Sequence, residues 1–96
     1  MRNDVIIAIE ARKLLKIRYS RGERLVEPYA IGVSTSGNQL LRAYQLEGSS
    51  ESNEKSGWRL FKIDEIENVS LNEESFSPRE EYKRGDKVFL EIFSQI

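Results

Sequence analysis

At Leu15 the apolar period of the chain changes from helical to two, and the segments that follow are short and separated by turn residues. A chain of short alternating strands has to form a sheet and has to protect the sheet's edges. Upstream of the change, Asn3 or Asp4 offers a helix cap. Val5, Ile6, Ala8, Ile9, Ala11 and Leu15 recur at helical spacing, with Glu10, Arg12 and Lys13 on the polar side. This predicts a short amphipathic helix over roughly 4–14.

Leu15, Ile17 and Tyr19 then share one face, and Lys16, Arg18 and Ser20 the other, before a turn at Arg21-Gly22-Glu23. Residues 24–33 continue extended. Pro28 cannot donate a ladder hydrogen bond there, which places it at an edge, a bulge or a bend. Ser34 to Asn38 is turn chemistry, and Leu40, Arg42, Tyr44 and Leu46 alternate with Gln39, Leu41, Ala43 and Gln45 in a third strand. Residues 47–57 contain no apolar side chain and are expected to be a mobile loop. Trp58–Ile63 and Ile66–Leu71 read as two strands joined at a tight corner. Near the C-terminus, Gly85-Asp86 can cap a helix whose apolar stripe is Val88, Phe89, Ile92 and Phe93, with a final strand as the competing reading. The expected architecture is mostly β: one domain over residues 1–96, built as a small barrel of about five strands with a helix at each end.

Composition narrows the function classes. The chain has 96 residues, of which 39% are hydrophobic and 32% charged, a balance suited to a soluble folded domain. No apolar run approaches the length of a membrane span, no secretion signal is recognisable, and a cytoplasmic location is expected. There is no His and no Cys, so triads, zinc sites and thiolate nucleophiles are excluded by composition. No phosphate loop of the GxxxxGK[ST] type occurs. The expectation is therefore a binding domain rather than an enzyme, with no cofactor and no metal. The net charge of −1 is unevenly spread: residues 1–24 hold seven basic groups against three acids, a balance of +4, while residues 47–81 hold ten acids against four bases. A basic end attracts phosphates over about a Debye length.

In chain order, Lys16-Ile-Arg-Tyr19, Val26-Glu-Pro-Tyr29, Leu40-Leu-Arg-Ala-Tyr44 and Gly57-Trp-Arg-Leu-Phe-Lys-Ile-Asp-Glu-Ile66, followed by Phe76, resemble a WYL domain. The resemblance covers roughly residues 5–76. It implies an Sm- and SH3-like barrel that acts as the effector-sensing part of a bacterial transcription or defence regulator, with single-stranded nucleic acid or nucleotides as ligands. The chain departs from the family pattern at two places. Gln39-Leu40-Leu41 stands where the naming triplet falls, and the family's basic set maps to Arg59, Lys62 and Glu65, so that one charge is reversed. The resemblance leaves open whether the domain stands alone or belongs to a longer regulator.

From these residues the expected ligand site is Tyr19, Arg21, Arg42, Tyr44, Trp58, Arg59 and Lys62, where aromatics can stack bases and arginine forks can grip phosphate. The bland reading of the same residues is ion pairing with the many glutamates and aromatic packing in the core. A second expectation, of a different class, is a module that dimerises or docks a regulator partner through barrel edges or the C-terminal apolar stripe.

Overall fold

The computed structural model describes residues 1–49 and 54–96. The centre of the expected mobile loop, residues 50–53, lies outside the described residues. The chain begins with helix α1 (Arg2–Ala11) and continues through strands β1 (Lys13–Tyr19), β2 (Gly22–Ser34), β3 (Gln39–Gly48) and β4 (Gly57–Lys62). One turn of 3-10 helix (Ile63–Glu65) leads into β5 (Ile66–Ser75), and β6 (Phe89–Gln95) ends the chain. All pairings are antiparallel, in the order β4-β3-β2-β1-β5, with β6 added to β2.

Helix α1 is placed by Val5, Ala8 and Ile9, which are buried. It starts at Met1 without a side-chain cap, rather than at Asn3 or Asp4, and ends where Arg12 takes a left-handed conformation (φ 54°). The alternation read in β1 is observed: Leu15 and Ile17 are buried while Lys16 and Arg18 are exposed. The hairpin to β2 turns through Ser20 and Arg21, both at positive φ, which is the two-residue geometry that matches strand twist. Val26, Ile31, Leu41, Ala43, Phe61, Ile63 and Ile66 complete the core beneath α1. Each of these side chains apart from the small Ala43 contributes about 1.5–3 kcal/mol relative to exposure. Gln45 is also fully buried on this face; its amide Nε2 donates to the carbonyls of Ser49 and Lys55, both at 3.0 Å, and so holds the ends of the β3–β4 connection.

β2 organises the sheet. β1 pairs only with its first part, Gly22–Val26, and β6 pairs with its last, Ala30–Ser34, along the same edge. Between them, the pairing with β3 skips a residue from Pro28 to Ala30, leaving Tyr29 in a bulge. Pro28 therefore sits at the bend, where a missing N–H removes no ladder bond that the neighbouring strands need.

Two expectations are corrected here. The sheet is open rather than a closed barrel: no pairing joins β4 to β5 among the described residues, because the 3-10 corner directs β5 away from β4. The seam is bridged by a side chain. Tyr19 packs edge-on against Phe61 at 5.0 Å, and its hydroxyl accepts the Lys62 N–H at 3.2 Å and donates to Glu65 at 3.3 Å. The C-terminal helix is replaced by β6. The far half of β2 lies beyond β1, and its backbone groups need partners; Phe89–Gln95 supply them. Register shifts beside Gly32 and Ser34 break the two-residue period, so Val88, Phe89, Ile92 and Phe93 imitate a helical stripe. Phe89, Val88 and Ile92 pack against Ala30 and Leu40 in a second, smaller cluster, and Phe93 packs against the main core.

Gly32 is where β6 approaches most closely. A Cβ there would run into the Glu91 carbonyl oxygen and lie 2.9 Å from a Phe89 ring carbon and 3.0 Å from the Ile92 Cα. Gly32→Ala is therefore expected to destabilise the protein by about 1–3 kcal/mol. The measurement is a urea melt, with loss of hydrogen-exchange protection concentrated in β6.

Candidate functional site

On the face of β3 opposite the core, Arg42 and Tyr44 stand beside Leu60 and Trp58 of β4, their direct cross-strand partners. The bulge at Tyr29 brings a third aromatic to this face. Its ring is fully buried, with the centroid 4.8 Å from Trp58, 5.5 Å from Phe76 and 4.7 Å from Tyr82. Trp58 also meets Tyr44 edge-on at 5.3 Å and lies nearly parallel to Tyr82, 26° apart with centroids 6.2 Å apart.

Phe76 and Tyr82 belong to the irregular segment from 76 to 88, which crosses this face between β5 and β6. The Phe76 N–H bonds to the Arg12 carbonyl at the helix end. Arg79 then makes three contacts: its Nε donates to Glu27 at 3.0 Å, its backbone N–H donates to the Tyr29 hydroxyl at 3.0 Å, and its guanidinium lies 3.5 Å from the centre of the Tyr44 ring. Tyr29 in turn donates to Glu27 at 2.9 Å. Burial, reinforced by the hydrogen bond to the Glu27 carboxylate and by its charge, raises the Tyr29 pKa well above the ordinary phenol value, so the hydroxyl keeps its proton.

Further along, Arg42 grips Asp86 with two donors, Nε at 2.6 Å and Nη2 at 3.5 Å. Asp86 also accepts the Val88 N–H at 3.1 Å. A cleft of about 500 Å³ opens beside this pair, lined by Arg42, Trp58 and residues 81–87. Its charged lining is four cations (Arg42, Lys83, Arg84, Lys87) against two carboxylates (Glu81, Asp86), with Trp58 and Tyr82 as its aromatic surface. Arg84 is anchored to the Ile96 carbonyl at 3.1 Å, whereas Lys83 and Lys87 are exposed. The Tyr82 hydroxyl is shielded and has no hydrogen-bond partner among the described residues, and burial together with the Asp86 charge raises its pKa. Among the described residues no group of acidic side chains is placed to hold a metal ion, and no helix is long and apolar enough to cross a membrane.

The structure brings together Arg42, Tyr44 and Trp58 of the seven residues expected from the sequence. Arg59 lies on the other face of β4 and reaches back to the Trp58 and Glu54 carbonyls at 3.0 and 2.6 Å. Tyr19 is the bridge across the seam. The Arg21 N–H meets Glu67 at 3.3 Å, and the Lys62 ammonium lies 3.8 Å from Glu65. The residues that sequence reasoning missed are Tyr82, Lys83, Arg84, Asp86 and Lys87. Their signal was present as an aromatic followed by the run Lys83-Arg84-Gly85-Asp86-Lys87, of which Gly85-Asp86 alone was singled out, as a helix cap.

Burial tends to raise the Asp86 pKa, but the hydrogen bonds from Arg42 and Val88 and the Arg42 charge outweigh it, leaving the carboxyl below its ordinary 3.8. A depressed folded value means that the ion pair's stabilisation is fully present above 3.8 and is lost as pH falls toward the folded value. Wild type is therefore expected to exceed Asp86→Asn in stability at neutral pH, with the difference shrinking in acid below 3.8. Urea midpoints measured across that range check the assignment.

The WYL domain family model matches residues 3–71. The match takes in α1, β1 to β4 and most of β5, and therefore Arg42, Tyr44 and Trp58; the wall formed by residues 81–87 lies beyond it. Neither the comparison with curated proteins nor that with solved structures returns a match. With the matched stretch spanning most of the chain, this protein belongs to the WYL-domain family, a family of regulatory ligand-sensing domains.

Proposed function

We propose that this WYL domain senses a phosphate-bearing aromatic ligand, a nucleotide or short single-stranded nucleic acid, in the cleft between the sheet and residues 81–87. The observation that carries the reading is the pairing in one cleft of an aromatic surface, Trp58 and Tyr82, with an excess of cations, Arg42, Lys83, Arg84 and Lys87. Bases stack on aromatic side chains for about 1–3 kcal/mol each, and basic groups track the phosphates. The role is regulatory binding, in keeping with a chain that has no His or Cys to carry common acid-base or nucleophilic chemistry. The transcription or defence setting that the family resemblance implies fits a domain whose bound state is read by a partner.

A second reading, a module that docks another protein chain, draws on the outer edges of β4 and β5. Neither edge has a strand partner among the described residues, and such edges accept added strands.

Trp58 is the sole tryptophan of the chain and lies in the cleft, so its fluorescence reports on the site. Titration with oligothymidylate is expected to change that fluorescence, with affinity falling as salt rises. Replacing Lys83 and Lys87 by Ala is expected to lower the slope of log affinity against log salt by about 0.7 per lysine. A fluorescence that stays constant at low salt excludes the cleft as a nucleic-acid site and favours the docking reading.

A further inference from the structure

We infer that Asp86 is an internal stand-in for the ligand's phosphate, and that ligand binding exchanges the partner of Arg42 and frees the Asp86 carboxylate from β3. This rests on the reading of the cleft as a phosphate site. Arg42 presents Nε and Nη2 to two oxygens of one carboxylate, at 2.6 and 3.5 Å, the same fork that an arginine offers to a phosphate. The pair is not sealed in: the Arg42 side chain is 27% exposed and the Asp86 side chain 17%, and both line the cleft. Lys83 and Lys87 flank Asp86 on its own segment, so an arriving anion meets positive charge on either side of the carboxylate it displaces.

The exchange has structural consequences because Asp86 holds more than Arg42. Its carboxylate accepts the Val88 N–H, and its carbonyl accepts the Phe89 N–H at 3.2 Å, at the start of β6. Gly85, immediately before Asp86 in the chain, has φ of 73° and room where a side chain would stand, which gives the turn a pivot, while its N–H donates to Gln95 Oε1 of β6 at 2.9 Å. Losing the carboxylate from Arg42 therefore loosens the segment just before it joins β2's edge. The Arg79–Glu27 pair and the Phe76–Arg12 bond keep the preceding part in place.

The competition also selects the ligand class. A phosphodiester carries one charge and meets a carboxylate of equal charge already in position. A terminal phosphomonoester carries about −1.5 to −2 at neutral pH and three acceptor oxygens, and so competes better for Arg42. The site is accordingly one for a phosphorylated end or a mononucleotide rather than for the interior of a strand.

The experiment compares 5′-phosphorylated and unphosphorylated oligothymidylate on the full chain, read by Trp58 fluorescence, for wild type and Asp86→Asn. Wild type is expected to prefer the phosphorylated probe. Asp86→Asn is expected to bind both probes more tightly, by roughly tenfold for the loss of one charge-assisted competitor, and to discriminate less between them. In labelled wild type, the phosphorylated probe is expected to shift the Arg42 Nε–H and Val88 N–H signals together, which tests the exchange without any substitution. Binding that shifts Lys83 and Lys87 while Val88 stays fixed, or that Asp86→Asn leaves unchanged or weaker, overturns the exchange and leaves the cleft standing. No response to either probe removes both.

Discussion

Every strand long enough to cross a sheet presents two rows of backbone donors and acceptors, and β2 must satisfy both over its full length of Gly22–Ser34 with a proline in its middle. The solution divides one edge between β1 and β6 and gives the other to β3, with the irregularity concentrated at Pro28 and Tyr29. From that division follow the position of the chain's end, the burial of Phe89 beside Gly32, and the outward turn of the Tyr29 ring. The aromatic cluster then gives residues 76–88 a surface to lie on, and the cleft is the space that this crossing leaves beside Arg42.

Much of this was legible in the sequence where burial on one side of a strand dictates alternation. Leu15 and Ile17 against Lys16 and Arg18, or Leu41 and Ala43 against Arg42 and Tyr44, are readable because one face meets the core and the other does not. The corner at Asp64-Glu65 was readable because two apolar runs stood too close for a loop. The sixth strand stood only as the reading that competed with a helix, since its pairing with β2 shifts register twice and the shifts blur the period by which a strand is recognised. Closure of the sheet was also beyond reach, because nothing local in β4 or β5 records how far apart a 3-10 turn will set them.

The site divided along a similar line. Arg42 and Tyr44 share one face of β3 by strand periodicity, and the hairpin register sets Trp58 opposite Tyr44. Tyr19 and Lys62 carry the same chemistry, but their surroundings employ it differently, in the bridge across the seam and in pairing with Glu65. Arg59 faces away because it is one residue from Trp58, and adjacent strand residues point to opposite faces. The cations at 83, 84 and 87 have no periodicity to place them. The hold of Arg79 on Glu27 and Tyr44, the packing of Tyr82 on Tyr29 and Trp58, and the pairing of Asp86 with Arg42 bring that stretch over the sheet.

The two walls of the cleft have different standing in the chain. One is cut from the sheet itself, where Tyr29 and Trp58 are tied into the packing; the other is an irregular stretch attached by ion pairs, ring contacts and single hydrogen bonds such as that of Arg84 to the Ile96 carbonyl, outside the part that matches the family. A substitution in the stretch between the last two strands therefore reshapes one wall of the cleft while the core beneath α1 stays as it is.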